Sequence, residues 1–225
     1  MADTLKGRHV ILTAGPTLEP IDPVRFISNR SSGKQGYAIA SALAELGADV
    51  TLVSGPTALN DPPAVTTHRV ETALDMLKTV QNALPADIFI AVAAVADWRP
   101  ADRARHKLKT DKAAFNALPL VENPDILKTI SQAPENRPDL VIGFAAETHD
   151  IETHAIAKRQ RKGCDWIIAN DVSGDVMGGE ENQISLITRN NSEKFPLMSK
   201  ADVAATIAQR IASSLSAHSN GRGNV

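Results

Sequence analysis

The sequence predicts an α/β domain of the Rossmann-like, three-layer kind: a mainly parallel sheet between helices, closed by a C-terminal hairpin and a helix. Two observations carry this. Short runs of apolar residues alternate along the chain with segments of helical periodicity, and those runs are apolar throughout, as strands buried on both faces must be. Hydrophobic residues make up 43% of the 225 residues and aromatics only 4%, so the core is built mainly from Ala, Val, Ile and Leu. We expect a single domain over residues 1–215 and a disordered tail over 216–225.

The first run, His9–Ala14, is closed by Gly15-Pro16 and reads as a buried strand ending in a turn. Gly36–Leu46 then places Tyr37, Ile39, Ala40, Leu43 and Leu46 at helical spacing, with Gly47 as the stop. Asp49–Val53 is the next strand, Thr72–Leu84 a helix, and Ile88–Val95 the most continuously apolar strand of the chain. Strands at Leu140–Phe144 and Trp166–Ala169 follow, preceded by helical segments at Asn123–Ser131 and Ile151–Lys162. Ile184–Thr188 and Lys194–Leu197 flank Asn190-Asn191-Ser192 as a hairpin, and a helix covers Lys200–Ser214. Residues 17–35 and 98–121 fit neither period. Long irregular segments inside a compact domain are usually functional loops or lids.

Charge and composition exclude several classes. Lys plus Arg number 24 against 26 Asp plus Glu, so no overall positive field draws the chain to nucleic acid or an anionic membrane. No apolar run reaches the ~20 residues of a membrane span, and the N-terminus has no apolar signal core, which points to the cytoplasm. Cys164 is the only cysteine and reads as a buried apolar residue. His149 and His154 are five apart and do not share a helix face, which argues against a zinc hydrolase.

In this fold, ligands belong at the carboxyl ends of the strands. Gly15, with Ser31, Gly33 and Gly36 at the start of the next helix, forms turns whose backbone N–H groups can approach phosphate oxygens; ordinary turn chemistry explains the same residues equally well. It is not a Walker A loop, because Gly33-Lys34 is followed by Gln35 where Ser or Thr is needed. The segment Asp22–Asn29 overhangs the crevice, where Arg25 and Asn29 are either substrate contacts or a solvated arginine and a turn-forming asparagine. The small residues Ala91–Ala96 leave room for a flat base, Asp97 is placed for a ribose hydroxyl, and the basic loop His106–Lys109 either closes over phosphates or is a solvated face. A nicotinamide-dependent short-chain dehydrogenase would need Tyr-x-x-x-Lys, but the only tyrosine is Tyr37 and position 41 is Ser41.

Taken in order, the strings LTAGPT (12–17), DPVRFISN (22–29), SSGKQG (31–36), AAVADWRP (93–100), KLK (107–109), NPDIL (123–127), GFAAET (143–148), KRQRKG (158–163) and ANDV (169–172) resemble those of bacterial phosphopantothenate-cysteine ligases. The resemblance implies ligation of 4′-phosphopantothenate to L-cysteine with CTP and Mg²⁺, in a homodimer fused to or partnered with a flavin-dependent decarboxylase. It implies that the backbone at Ala91, Val92 and Ala93 holds cytosine and that Asp97 lies near the ribose. Lys107, Asn123, Pro124, Asp125, Ile126, Phe144, Lys158 and Lys162 are then further nucleotide contacts, Gly15, Ser31, Gly33 and Gly36 cradle the triphosphate, and Asn29, Arg25 and Ala94 face the acid. No protein ligand to the metal is implied. Arg30 stands where relatives carry His, and the outline of the loop from 109 to 121 is the part the resemblance does not fix.

Overall fold

The computed structural model describes residues 4–108, 117–147, 149–171 and 179–221. Lys109, Thr148 and Val172, which the sequence strings include, lie outside the described residues, as do positions 222–225 of the expected tail. Strands and helices follow in the order β1 (His9–Ala14), β2 (Glu19–Pro20), β3 (Phe26–Ile27), α1 (Lys34–Glu45), β4 (Asp49–Ser54), β5 (Val65–Arg69), α2 (Ala73–Ala83) and β6 (Ile88–Ala91). The second half comprises β7 (Trp98–Pro100), β8 (Leu120–Glu122), α3 (Ile126–Ser131), β9 (Leu140–Glu147), α4 (Ile151–Lys162), β10 (Trp166–Asp171), β11 (Glu181–Asn182), β12 (Ile184–Ile187), β13 (Ser192–Lys194), β14 (Met198–Ser199) and α5 (Lys200–Gly221).

The central sheet has the order β13-β12-β10-β9-β6-β1-β4-β5, with β10 through β5 parallel and β12 and β13 antiparallel. This is the expected parallel sheet with a C-terminal hairpin. Alternation along the strands sends Val10, Leu12 and Ile90 into one core with Ile39, Leu43, Val203 and Ile207 of α1 and α5. Ile11, Phe89 and Val141 point the other way, towards Met76, Val80, Ile130 and Ala155 of α2, α3 and α4. The chain runs from β1 to β4 on one side and returns through β6 on the other, so the topological switch point lies between β1 and β6. A ligand crevice opens there.

Several boundaries differ from expectation. The first helix begins at Lys34, one residue after Gly33, because Gly33 adopts φ +77° as its N-cap. The apolar run 88–95 is strand only as far as Ala91; beyond it the chain turns over β1 and keeps one bridge, between Pro16 and Ala94. The third helix starts at Ile126, with the Asp125 side chain accepting from the Lys128 N–H at 3.0 Å as its cap. The last helix runs past Ser214 through Gly221. The edge strand β5 was not foreseen. Nor were the two-stranded ribbons β2-β3, β7-β8 and β11-β14, the first two of which give local order to stretches that fit no period. Among the described residues no helix is long and apolar enough to cross a membrane.

Candidate active site at the switch point

Two cavities meet above the carboxyl ends of the parallel strands. The larger, of about 520 Å³, is bounded by the end of β6, by Asp97 and by Asn123–Leu127, with Lys158 and Lys162 reaching in from α4. The smaller, of about 280 Å³, is bounded by Gly15, by 31–36 at the start of α1, and by Ala145, Asn170, Asn182 and Lys200. Ala93, Val95, Phe144 and Lys158 line both. They are therefore two arms of one cleft.

Around the larger arm the polar groups hold each other. Asn123 donates from its backbone to the Asp97 carbonyl and from Nδ2 to the Ala96 carbonyl, each at 2.8 Å, which folds the 96–99 turn over the end of β6. Val92 N–H donates to the Thr13 carbonyl and Ala94 N–H to the Gly15 carbonyl, whereas Ala93 N–H reaches only Thr13 Oγ1, at 3.4 Å. Lys162 donates to Asp125. Burial raises the Asp125 carboxyl, but the bonds from Lys162 and the Lys128 N–H outweigh it and leave it below the usual carboxylate range. Lys158 Nζ donates to the Phe144 carbonyl at 2.8 Å, and burial together with nearby Lys162 pushes its ammonium below the ordinary lysine range. Such a cation gains from an incoming anion.

The smaller arm is shaped by close backbone approach. The Gly33 turn packs on Gly15, and a Cβ at either position would lie 2.8 Å from Thr57 Cγ2. Gly36 faces Ala14, where a Cβ would come within 2.5 Å of the alanine methyl, so α1 can approach β1 only with glycine there. No side chain caps α1, in contrast to the Thr72/Asp75 capping box of α2, and the first N–H groups of α1 face the arm that an anion would enter.

Asn29 lines neither arm; it stands behind the smaller one, donating from Nδ2 to the Ala94 carbonyl at 2.5 Å and accepting the Ser31 N–H on Oδ1 at 3.0 Å. Arg25 and Lys107 line neither arm. Arg25 is clasped by Asp22, with Nε and Nη2 at 3.0 and 2.6 Å from Oδ2, and donates to the Leu108 carbonyl at 2.8 Å. Burial raises the Asp22 carboxyl, yet bonds from the Arg25 side chain and from the backbone of Val24, Arg25 and Leu108 hold it well below the usual range. In this conformation Arg25 thus anchors the basic loop, and Lys107 is exposed on it. The sequence reading missed Asn182 and Lys200 as lining residues and took Gln35 and Asn170 only as parts of strings; a polar residue at the carboxyl end of a buried strand was the available signal for Asn170.

Two other expectations are resolved. Cys164 is buried, and burial pushes its thiol up to about 11, so it is no nucleophile. The spacing argument about His149 and His154 fails: His149 precedes α4, and the two rings meet edge to face with centroids 4.9 Å apart, Asp150 beside them. They lie outside both arms.

Residues 5–215 match the family described as the DNA/pantothenate metabolism flavoprotein C-terminal domain. The chain belongs to that family. A Vibrio vulnificus relative, the coenzyme A biosynthesis bifunctional protein CoaBC, is 46% identical over 211 residues, covering 92% of this chain and 52% of the relative. The chain thus spans about half the length of the curated relatives it matches. A crystal structure of the C-terminal domain of a CoaBC protein superposes with a TM-score of 0.80 at 41% identity, covering 96% of this chain and 99% of that one. A Cab2 variant in complex with phosphopantothenate-cysteine, at 17% identity, has a TM-score of 0.74 over 95% of this chain and 89% of that one and shares the fold.

Proposed function

We propose that this family member joins 4′-phosphopantothenate to L-cysteine at the expense of CTP, within coenzyme A biosynthesis. The observation that carries the reading is the two-armed cleft, whose arms share the wall of Ala93, Val95, Phe144 and Lys158, with Ala94 lining the smaller arm and Asn29 bonded to its carbonyl. The larger arm suits a nucleoside and the smaller arm, beside the start of α1, its phosphates, so the α-phosphate lies where the arms join and an acid can be held against it. Its membership of this family and its likeness to CoaBC proteins support the same assignment.

A carboxylate does not react with an amine at neutral pH and must first be activated. Its oxygen attacks the α-phosphorus of CTP, giving an acyl-cytidylate and releasing pyrophosphate; the amine of cysteine then attacks the acyl carbon, expels CMP and gives up a proton to solvent. Cytosine lies against the backbone at Ala91–Ala93, with the Ala93 N–H, held only by the 3.4 Å bond to Thr13 Oγ1, available to its edge, and Asp97 takes the ribose. Lys158 and the N–H groups at the start of α1 meet phosphate charge, and Lys107 joins them when its loop closes. A magnesium ion would neutralise charge on the triphosphate, and among the described residues the carboxylates that line the cleft are Asp97, Glu122 and Asp125 of the larger arm, the last of them engaged by Lys162. Asn29 provides a neutral donor beside the acyl carbon. The chain works as a homodimer and is partnered with or fused to a flavin-dependent decarboxylase that consumes its product.

Pyrophosphate release tests the assignment. With CTP and 4′-phosphopantothenate, pyrophosphate should form without cysteine and acyl-cytidylate should be trapped by a quench; adding cysteine should give CMP and the coupled product. Binding of CTP without either product would make the chain a nucleotide sensor instead. Equal turnover with ATP would remove the base-reading role given to 91–93. Asn29→Asp should let acyl-cytidylate accumulate, while Lys107→Gln should abolish pyrophosphate release by ~10²–10³-fold, the scale for one electrostatic stabiliser.

A further inference from the structure

Another cavity, of about 860 Å³, has no part in the cleft. It lies at the opposite end of the sheet, where Leu140 and Trp166 begin β9 and β10, between the last turn of α4, the tip of the β12-β13 hairpin, and Ser214 and Leu215 of α5. Its volume falls within the roughly 300–1,000 Å³ of small-molecule sites. Three guanidiniums line it, and they differ in what already holds them. Arg8 is tied through Nη1 to Asp87 at 2.7 Å. Arg159 has a buried Nε with no acceptor among the described residues. Its place in the last turn of α4 favours a cation through the helix dipole, but the dipole gives Nε no hydrogen-bond partner. Arg189 is exposed at the hairpin tip, where Thr188 holds the backbone: its N–H donates to the Asn191 carbonyl at 2.8 Å and its Oγ1 accepts the Asn191 N–H at 3.0 Å. Of the two carboxylates in the lining, Asp165 accepts from Arg137 at 3.0 Å and from the Val141 N–H at 2.7 Å, while Asp139 is exposed. With the paired charges set aside, the cavity is left positive.

The rest of the lining narrows the occupant. Trp166 is half-buried, packed on the core and lining the cavity, and with Leu140 and Leu215 it supplies an apolar wall. A metal cation would be repelled by the guanidiniums. Inorganic phosphate would meet them but leave the indole uncovered and most of the volume empty. An acyl chain would cover the apolar wall and leave Arg159 Nε without an acceptor. A nucleotide answers each feature: phosphate oxygens for the guanidiniums, ribose hydroxyls as donors to Asp139, and a flat base for the indole. A purine offers the larger stacking face. We propose that this cavity is a second nucleotide site, for a purine nucleoside mono- or diphosphate, with Arg159 and Arg189 taking the phosphate and Trp166 the base. It is separate from the cleft and independent of the ligase reading.

The chain's own fluorescence provides the test. Its two tryptophans are Trp98 and Trp166, so in Trp98→Phe the emission reports Trp166 alone. Titrated with ADP, this variant should show saturable quenching with a Kd below about 1 mM. Inorganic phosphate and adenosine, each carrying half of the recognised groups, should bind at least about 10-fold more weakly. In the same background Arg159→Gln and Arg189→Gln should each raise the Kd for ADP about 10–100-fold, the scale of one charge-assisted hydrogen bond. Arg189 is exposed, so Arg189→Gln should keep the unfolding temperature of its parent, which holds the test open if Arg159→Gln folds poorly. Calorimetry should give the wild-type chain and Arg189→Gln the same Kd for CTP, because that residue lies away from the cleft. Absence of saturable quenching overturns the proposal, and so does inorganic phosphate binding as tightly as ADP. A Kd for ADP that Arg189→Gln leaves unchanged, or a Kd for CTP that it raises equally, would place the nucleotide elsewhere and overturn it as well.

Discussion

Lys158 shows how single residues here are prepared for a ligand. Its half-buried ammonium donates to the Phe144 carbonyl and is held below the ordinary lysine range by desolvation and by Lys162. Phosphate needs it charged, and its proton leaves at lower pH than that of an exposed lysine. CTP affinity should therefore fall as pH rises towards 10, before an ordinary lysine would titrate at about 10.4, and Lys158→Arg should abolish the fall because guanidinium stays charged above about pH 12. Calorimetric titration of CTP across that range checks it; a flat wild-type profile would remove Lys158 from the phosphate site. Asp22 gives the opposite sign. Its folded pKa is depressed, so its contribution to stability is complete above the unfolded value of about 3.9 and fades as pH falls through the folded value. Asp22→Asn should destabilise at pH 7, and the gap to wild type should shrink below about pH 4 in denaturant titrations. The sequence could not show this pairing. Arg25 and Asp22 stand three apart in a segment with no period, and only the fold reveals that the carboxylate also catches the Leu108 N–H, 86 positions away.

At the scale of elements, β1, α1, β4, α2, β6, β9, α4 and β10 were legible because each buries a face and so carries a period in its sequence. The strand β5, Val65–Arg69, was not: it is the sheet edge, its residues are intermediate or exposed, and VTTHR therefore has no apolar signature. Ribbons of two or three residues are too short to show alternation at all. The apolar stretch after Ala91 misled for a different reason. Residues 92–95 are small and part-buried because they wall the cleft, not because they pair in the sheet. The junction of α1 with β1 makes a direct test of why the site's helix needs its glycines. Gly36→Ala would set two methyl groups 2.5 Å apart, and overpacking of this kind costs about 1–3 kcal/mol. The double variant Gly36→Ala with Ala14→Gly should recover part of that loss in chemical unfolding; simple additivity would mean that the close approach is not what selects glycine.

At the scale of the molecule, the distribution of exposed apolar side chains argues for a second copy. Among the described residues nine large hydrophobics are exposed, and five of them, Val24, Phe26, Trp98, Leu120 and Val121, sit in or beside the ribbons β2-β3 and β7-β8. The two ribbons pack on each other through β2 and β7, so these side chains belong to one projecting unit. That unit carries Arg25 and leads into the loop bearing Lys107, two residues of the proposed site that this single chain leaves outside the cleft. Concentrated apolar exposure of this kind marks an interface, whereas scattered residues such as Leu74 and Ile156 do not. Covering the ribbons with their symmetry mates in a homodimer would bury the patch and fix the loop's starting point beside an active site. Phe26→Glu combined with Leu120→Glu puts like charges across such an interface without touching the sheet or the cleft lining. The wild-type chain should sediment as a dimer, and the double variant as a folded monomer that keeps its helical circular-dichroism signal, still binds CTP in the larger arm and has lost most of its ligase turnover. A wild-type monomer with full activity would sink the argument, and so would a double variant that remains a dimer.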